Sequence, residues 1–350
     1  MSDFAARLVR WQRSHGRHDL PWQGSRDPYT VWLSEIMLQQ TQVSSVIPYY
    51  LRFLECFPDV ASLAQAPLDD VLAHWSGLGY YSRARNLHRA AQAIMAAHGG
   101  AFPRDFERIL ALPGIGRSTA AAVSAFAFGA RRAILDGNVK RVLARYFAVD
   151  GHPGEKGVEA RLWLHAEALL PQQGIEAYTQ GLMDLGATVC TRGRPRCEAC
   201  PVGRDCLAHQ QGRQSELPTP RPRKALPERE TSMLLLQRGG EIYLEKRPPT
   251  GIWGGMWSLP EIAPGDDPRL ACQARFGFET GVPEPLPAML HTFTHFRLHI
   301  QPQRLAVREI QPRAHQAGGM WLGPRAALGA AIPTPVRKLL LLCGGDDVEN

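Results

Sequence analysis

Residues Leu112–Ala120 have the sequence LPGIGRSTA and lie between two segments with helical hydrophobic periodicity. Pro113 ends the first segment, and Gly114 and Gly116 permit a tight turn because glycine has no Cβ atom. Backbone N–H groups in such a turn can approach an anion closely, and the next helix adds the positive end of its dipole. The stretch therefore predicts a helix–hairpin–helix in which Gly114 and Gly116 contact a DNA phosphate. A plain turn between helices is the alternative.

Helical periodicity extends on both sides of this stretch, from Tyr29 to about Ala208, and strand-like alternation is nearly absent. Pro, Gly and Asp residues separate the segments. We predict an all-α region with helices at Tyr29–Gln40, Val43–Cys56, Ser62–Ala66, Leu68–Trp75, Tyr81–His98, Asp105–Leu110, Arg117–Phe128, Asn138–Ala148, Gly157–Leu169 and Ile175–Val189.

The character of the chain changes after this region. Residues 211–230 alternate prolines with basic residues, which is typical of an extended linker. From Thr231 the hydrophobic period becomes two, and Gly239-Gly240 predicts a hairpin turn. We therefore predict an α+β region with strands Ser232–Gln237, Glu241–Lys246, His291–Ile300 and Pro302–Val307 and helices Asp267–Phe276 and Thr334–Leu342.

Composition limits the class of protein. The 350 residues carry 40 basic and 33 acidic side chains, and the net charge of +7 favours a polyanionic partner over a neutral one. A solvated basic surface is the alternative interpretation. No apolar run reaches the roughly 18–20 residues of a membrane span, so we expect no membrane association. The first residues show no secretory signal, and we expect a cytoplasmic protein.

Four of the seven cysteines lie in one segment, with the spacing Cys190-x6-Cys197-x2-Cys200-x5-Cys206. Four thiolates this close can enclose a single metal centre. The single CxxC and the unequal outer spacings favour a [4Fe–4S] cluster, and structural zinc is the alternative. A metal site of this kind is typical of a reducing compartment.

Two carboxylates have neighbours that suit acid–base chemistry. Glu35 lies in WLSEIMLQQTQV, and helical spacing places Val31, Trp32 and Leu38 beside it. Such neighbours desolvate a carboxylate and raise its pKa, as a general acid near neutral pH requires. Asp136 lies in LDGNVKRV directly before a helix. The alternatives are a solvent-facing glutamate and a helix N-cap.

Taken in order, WLSEIMLQQTQV, GLGYYSRARNL, LPGIGRSTA, LDGNVKRV and the four-cysteine segment resemble the MutY-type adenine DNA glycosylases of the endonuclease-III-like helix–hairpin–helix superfamily. The resemblance extends from about Asp19 to the C-terminus. It implies a multidomain protein, with an all-α glycosylase domain that carries a [4Fe–4S] cluster and an α+β Nudix-like C-terminal domain. It also implies base excision repair of adenine opposite 8-oxoguanine or guanine in double-stranded DNA.

The same resemblance implies roles for individual residues. Glu35 would protonate adenine and then activate water, and Asp136 would stabilise the sugar cation, as paired carboxylates do in glycoside hydrolysis. The remaining implied substrate contacts are a base pocket of Leu20, Trp22 and Gln180, wedges of Gln40 and Tyr80 that fill the vacated stack, and Asn138 as a positioning group.

One position predicts the reaction subtype. Bifunctional relatives carry a lysine after the hairpin that forms a Schiff base with the sugar. Ser118 stands at that position here and cannot form an imine. The resemblance therefore implies a monofunctional glycosylase that leaves an abasic site.

The C-terminal region resembles a Nudix domain that has lost its catalytic box. Gly255-x5-Glu261 is present, but the paired glutamates expected after Arg269 are missing, so we expect no pyrophosphatase activity. A loop with Phe293, Thr294 and His295 resembles the family's 8-oxoguanine-inspecting loop. Thr294 stands where serine is usual and keeps the hydroxyl group.

These inferences predict a helical catalytic region at 1–210, with a six-helix barrel at about 29–129 and a cluster subdomain from 1–28 and 130–210. A linker at 211–230 and a lesion-recognition domain at 231–350 follow. We expect a monomer that acts on the bacterial nucleoid, with unknown protein partners. The alternatives are a glycosylase/lyase for another base and a DNA-binding module with a structural metal.

Overall fold

A computed structural model describes residues 3–222, 225–311 and 318–343. The described chain forms two compact units. The first contains residues 3–65 and 86–222, and the second contains residues 66–85, 225–311 and 318–343. Within these ranges, no helix is long and apolar enough to cross a membrane.

The first part of the chain is helical, as predicted, and a π-helical turn at Leu185–Val189 extends its last long helix. The helices are α1 (Asp3–His15), α2 (Pro28–Leu38), α3 (Val43–Cys56), α4 (Val60–Gln65), α5 (Leu68–Trp75), α6 (Ser82–His98), α7 (Phe106–Leu110), α8 (Arg117–Phe128), α9 (Gly137–Tyr146), α10 (Lys156–Ala168), α11 (Ile175–Asp184) and α12 (Leu207–Gln210).

The predicted helices begin at Tyr29 and miss α1, although Phe4, Leu8 and Trp11 recur at helical spacing among the arginines. Phe4 and Leu8 are almost fully buried, in a core shared with Tyr178 and Leu182 of α11. Gly181 permits the close approach, since a Cβ atom there would lie 3.2 Å from Leu8 Cγ. Helix α1 is therefore an integral part of the first unit.

The second unit is built on a mixed sheet with helices beside it. Its elements are β1 (Glu228–Arg238), β2 (Glu241–Lys246), β3 (Trp257–Ser258), β4 (Glu261–Ile262), α13 (Pro268–Phe276), β5 (Phe278–Thr280), β6 (Glu284–Pro285), β7 (Met289–Thr292), β8 (Arg297–Ile310), β9 (Gly319–Leu322), α14 (Pro324–Gly329) and α15 (Thr334–Cys343).

Strands β1 and β8 pair in parallel at the centre of this sheet, from Glu228 opposite Arg297 to Gln237 opposite Ala306. Strands β2 and β4 flank β1, and β5, β6 and β7 flank β8, all antiparallel. Gly239 and Gly240 both have positive φ, as the predicted β1–β2 hairpin turn requires. The α+β prediction is confirmed.

The predicted strand His291–Ile300 is wrong, since β7 ends at Thr292 and β8 begins at Arg297. The Phe293 N–H donates to the Phe296 carbonyl across 2.9 Å and closes a turn between them. Pro302 does not begin a new strand but lies inside β8, where its carbonyl accepts the Leu286 N–H at 2.9 Å. The break places the predicted lesion loop at a turn.

The segment at 66–85 belongs to the second unit, although the predicted catalytic region includes it. Asp69 accepts a hydrogen bond from Trp257 Nε1 at 3.1 Å and pairs with Lys246, and Ser76 Oγ donates to the Ile332 carbonyl at 2.8 Å. These partners are far away in sequence, so local patterns do not reveal them.

The first half of the predicted linker lies on the first unit. Arg145 Nε donates to the Leu217 carbonyl at 2.7 Å, and the Gly151 N–H donates to Thr219 Oγ1 at 3.2 Å. Strand β1 begins at Glu228, so the last residues of the predicted linker are strand. The domain boundaries remain predictions.

Candidate active site

Glu35 lies on α2, a helix whose start is fixed by its own sequence. Asp27 caps it by accepting the N–H groups of Tyr29 and Thr30 at 3.2 and 3.3 Å, and Pro28 occupies the first turn. The next turns carry Glu35 into a cavity of about 290 Å³. The capped helix therefore holds this carboxylate in a defined place.

Most of the surface inside this cavity belongs to apolar atoms, although about half of its lining residues are polar or charged. It is lined by Gln12, Arg17, His18, Leu20, Trp22, Gln23, Gly24, Ser25, Arg26, Val31, Ser34, Glu35, Leu38, Val43, Phe126, Glu176, Ala177, Gln180 and Met183. It brings the predicted base-pocket residues Leu20, Trp22 and Gln180 together with Glu35. Its volume and lining suit a flat heterocycle with a few polar contacts.

Burial and, as the smaller cause, the negative charge of Asp136 together raise the pKa of Glu35 to about 8. The first cause is the one predicted from Val31 and Leu38, which line the same cavity. A carboxyl group with this pKa holds its proton at neutral pH. Glu35 is therefore equipped to donate a proton to a base in the cavity.

Asp136 is the N-cap of α9 and accepts the Val139 N–H at 2.7 Å. Burial raises its pKa, while the amides of Val139 and Asn138 and the positive charges of Arg141 and Lys140 act in the opposite direction. The capping role and a catalytic role are thus compatible, because the helix N-terminus favours the charged form. Two carboxylates in unequal environments can divide acid and cation-stabilising roles.

Ser118 and Asn138 form hydrogen bonds with the residues that surround Asp136. Ser118 Oγ accepts the Leu135 N–H at 3.0 Å, in the residue just before Asp136. Asn138 Oδ1 accepts from Arg141 at 2.7 Å, and the same guanidinium donates to the Gly186 and Cys190 carbonyls. Arg141 therefore couples the α9 N-terminus to the start of the four-cysteine segment.

Sequence reasoning missed the group that orients Gln180. Asp184, one turn further along α11, is fully buried and accepts from Gln180 Nε2 at 2.8 Å and from Arg17 Nε at 2.7 Å. The side-chain nitrogen of Gln180 is thus engaged, which leaves its oxygen as an acceptor. The spacing of four residues was the available signal.

The hairpin has the predicted geometry. Gly114 has φ +78°, and a Cβ atom there would lie 2.5 Å from Asn86 Cβ. Gly116 is the N-cap of α8, where a Cβ atom would meet open space. The turn thus joins α7 to α8 with an uncovered helix N-terminus at Gly116.

The two predicted wedge residues lie in different units. Gln40 is exposed just after α2, and Tyr80 is 41 % exposed just before α6. Both have positive φ, 58° and 49°, which non-glycine residues adopt at a cost of about 1–3 kcal/mol. Such strain is frequent at functional sites.

The four cysteines line one small cavity together with apolar Val142, Leu185, Val189 and Val202. Arg145 Nη1 donates to Cys190 Sγ at 3.3 Å, and Cys206 Sγ donates to the Arg145 carbonyl at 3.4 Å. Burial, together with the neighbouring thiolates, raises the pKa of the Cys200 thiol to about 12. Four sulfur donors in one apolar pocket fit a thiolate-ligated cofactor. Among the described residues, no group of three or more His, Cys, Asp or Glu side chains is arranged to hold a metal ion.

The second unit presents the predicted lesion loop at the rim of a cavity of about 390 Å³. Thr294 and His295 are exposed, whereas Phe296 is buried and stacks on Phe293 at 4.4 Å between ring centroids. Tyr80 lines the same cavity, which also includes Gly79, Tyr81, Ser82, Arg85, Gly251, Trp253, His291, Thr292 and Thr334.

Two family models match the chain. Residues 33–167 match the HhH-GPD superfamily of base excision DNA repair proteins, and residues 231–342 match a NUDIX domain. The fold and the site thus define a helix–hairpin–helix base excision repair protein that acts on DNA.

Relatives that align with nearly the whole chain identify the particular family to which it belongs. The chain is 36 % identical to an adenine DNA glycosylase of Buchnera aphidicola, with 96 % of each chain covered. It is 32 % identical to the adenine DNA glycosylase of Homo sapiens, over 98 % of this chain and 74 % of the human one. The chain belongs to the adenine DNA glycosylases, which are enzymes of base excision repair.

Solved structures are similar to part of the chain. A thermostable thymine-DNA glycosylase is 30 % identical with a TM-score of 0.54, covering 59 % of this chain and 95 % of that one. A non-covalent endonuclease III–DNA complex is 20 % identical with a TM-score of 0.50, covering 60 % and 94 %. The second likeness concerns the fold alone.

Proposed function

We propose that this enzyme removes adenine opposite 8-oxoguanine or guanine in double-stranded DNA, as a monofunctional glycosylase that leaves an abasic site. The observation that carries the proposal is Glu35, a carboxyl group with a pKa of about 8 in a cavity whose surface is mostly apolar, coupled to Asp136. Both residues lie in stretches, WLSEIMLQQTQV and LDGNVKRV, whose resemblance to the family implies these roles.

The reaction requires the adenosine to leave the stack and enter the cavity, which costs a few kcal/mol. Glu35 then donates its proton to the purine ring, the C1′–N9 bond breaks, and the bonding electrons leave with the base. The carboxylate of Asp136 stabilises the positive charge that develops on the sugar. Water attacks C1′, and the carboxylate of Glu35 takes the proton that the water gives up.

Position 118 supports hydrolysis without strand cleavage. A lyase needs an amine that attacks C1′, and Ser118 offers only a hydroxyl group, which accepts the Leu135 N–H. Water is therefore the nucleophile in this proposal. The strand stays intact until alkali or another enzyme opens the abasic site.

The cofactor of this proposal is a [4Fe–4S] cluster held by Cys190, Cys197, Cys200 and Cys206, which line one cavity. Bound there, the cluster would supply structural cross-linking of the segment. Arg192, Arg194 and Arg204 are exposed on that segment and suit contacts with DNA phosphates. We further propose that the protein acts as a monomer in the bacterial cytoplasm, where its DNA substrate lies.

A panel of labelled duplexes tests the proposal. Adenine is placed opposite 8-oxoguanine, guanine or thymine, and a fourth duplex carries thymine opposite guanine because a thymine-DNA glycosylase is among the similar structures. We expect alkali-dependent cleavage at adenine opposite 8-oxoguanine or guanine only. Cleavage without alkali would contradict the monofunctional mechanism. Cleavage at thymine would contradict the proposal that adenine is the excised base.

A further inference from the structure

A buried tryptophan lies directly under the lesion loop. Trp253 is 7 % exposed, and its ring centroid is 5.4 Å from that of Phe293 and 5.5 Å from that of His291. Phe293 is the first residue of the turn that carries Thr294 and His295. The exposed part of the loop thus rests on Trp253 through Phe293.

The backbone at Trp253 is strained. Its φ is +52°, a left-handed conformation that costs a bulky residue about 1–3 kcal/mol. The neighbouring Gly254 meets the Pro249 carbonyl oxygen, which a Cβ atom would approach to 2.6 Å. The surrounding turn must therefore be held firmly to keep the ring in this position.

Arg247 binds the backbone of this turn at both of its ends. Its Nε donates to the Ile252 carbonyl at 2.9 Å, its N–H donates to the Met256 carbonyl at 2.9 Å, and its guanidinium lies 5.6 Å from the Trp253 ring centroid. Glu261 forms an ion pair with Arg247 Nη1. Glu261 is the glutamate of the incomplete Nudix box, so this chain uses the residue to anchor a turn.

A further contact links the turn to the segment that carries Tyr80. Arg85 Nη1 donates to the Gly254 carbonyl at 2.8 Å. The turn at 251–256 therefore has attachments to the lesion loop, to Glu261 and to the 79–85 segment, all within the second unit. Loops that bind ligands usually depend on such a rigid support.

We propose that Trp253 is a positioning residue for selection of the base opposite adenine, held in place by the Arg247–Glu261 pair. This inference rests on the proposed function. Trp253 fixes the position of Phe293 and thereby the approach of Thr294 and His295 to the opposite base. Its loss would reduce selection of 8-oxoguanine over guanine, not merely stability.

The test measures lesion selectivity, defined as the ratio of single-turnover efficiency on A:8-oxoguanine to that on A:G at limiting enzyme. Trp253→Leu is expected to lower this ratio by about three- to tenfold, because two ring contacts are lost. Trp253→Phe keeps a ring and should retain most of the selectivity. Trp321→Leu is the matched control, since Trp321 contacts Tyr243 and Phe278 in the core of the same unit.

A second pair of variants covers a failure of Trp253→Leu to fold, as judged by circular dichroism. Glu261→Gln removes the negative charge of the ion pair with Arg247, which weakens the anchoring of the turn, and should therefore also lower the selectivity ratio. Glu245→Gln is its control, because Glu245 lines the same cavity but forms its ion pair with Arg275.

The outcomes separate this inference from the proposed function. A wild-type enzyme that removes adenine from neither duplex would overturn the proposed function and this inference with it. A wild-type enzyme that selects 8-oxoguanine, with an unchanged ratio in folded Trp253→Leu or Glu261→Gln, would overturn this inference alone. An equal loss of selectivity in the Trp321 or Glu245 control would also overturn it, since the effect would then be general.

Discussion

Glu35 shows how much of a single residue can be predicted from its neighbours. Helical spacing placed Val31 and Leu38 beside it, and burial is the main cause of its raised pKa. The contribution of Asp136 could not be predicted in this way, because the two residues are about a hundred positions apart. The same holds for Asp184, which orients Gln180 and is buried against Arg17.

The raised pKa of Glu35 predicts a pH-dependent cost to stability. The folded state keeps this proton up to a pH of about 8, whereas the unfolded chain releases it near the ordinary glutamate pKa of 4.5. Between these values the folded state binds more protons, so the contribution of Glu35 to the free energy of unfolding falls as pH rises. We expect Glu35→Gln to gain melting temperature relative to wild type as pH increases through this window. An equal gain for the exposed control Glu55→Gln would contradict the assignment.

Ser118 gives a prediction about reaction chemistry. Ser118→Lys places an amine beside Asp136 at the α8 N-terminus, so borohydride should trap a covalent protein–DNA adduct that wild type does not form. Ser118→Ala is the control, since it also loses the hydrogen bond from the Leu135 N–H but adds no amine. The absence of an adduct from a folded, DNA-bound Ser118→Lys protein would contradict this placement of the residue.

At the level of elements, the sequence predicted the turns and helices whose conformation is set by their own residues. The hairpin at Gly114 and Gly116, the helix predicted at Asp267–Phe276 and the Gly239-Gly240 turn follow from residue type and spacing. Helix α1 had a local signal in the spacing of Phe4, Leu8 and Trp11, but its partners in α11 lie far away in sequence. The break between β7 and β8 is a local turn, closed by the Phe293 N–H and the Phe296 carbonyl, within a stretch that alternates like a single strand.

Adding a single methyl group to Gly114 should destabilise the hairpin and weaken its binding of DNA. Gly114→Ala forces a left-handed φ of 78° on alanine and places its Cβ 2.5 Å from Asn86 Cβ. We expect a loss of about 1–3 kcal/mol in stability and weaker binding of duplex DNA in fluorescence anisotropy. Gly157→Ala in α10 is the control, because a Cβ atom there meets nothing within 4 Å. Unchanged DNA affinity in Gly114→Ala would contradict a role of the hairpin in phosphate binding.

For the whole molecule, the sequence predicted both fold classes. The segment at 66–85 contacts the rest of the second unit through Asp69 and Ser76, whose partners lie far away in sequence, so no local pattern predicts these contacts. The Nudix-like unit keeps Glu261 in an ion pair with Arg247. Glu261 of the incomplete Nudix box is thus paired with an arginine of the same unit.

The four-cysteine segment gives a prediction for the molecule as a whole. Cys200→Ser should lower iron and sulfide content, visible absorbance and melting temperature together, because cofactor binding energy contributes to folding. DNA affinity should fall as well, since exposed arginines lie on the same segment. Cys56→Ser, at an exposed position outside the segment, is the control. Full iron content in Cys200→Ser would contradict the proposed ligand set.

The central claim is that Glu35 and Asp136 carry hydrolysis and not DNA binding. It is tested most directly by single-turnover adenine excision together with duplex affinity for wild type, Glu35→Gln and Asp136→Asn. We predict a loss of about 10²–10⁴-fold in the excision rate of Glu35→Gln, a clear loss for Asp136→Asn, and duplex affinity close to wild type for both. An unchanged excision rate in both folded variants would contradict the account.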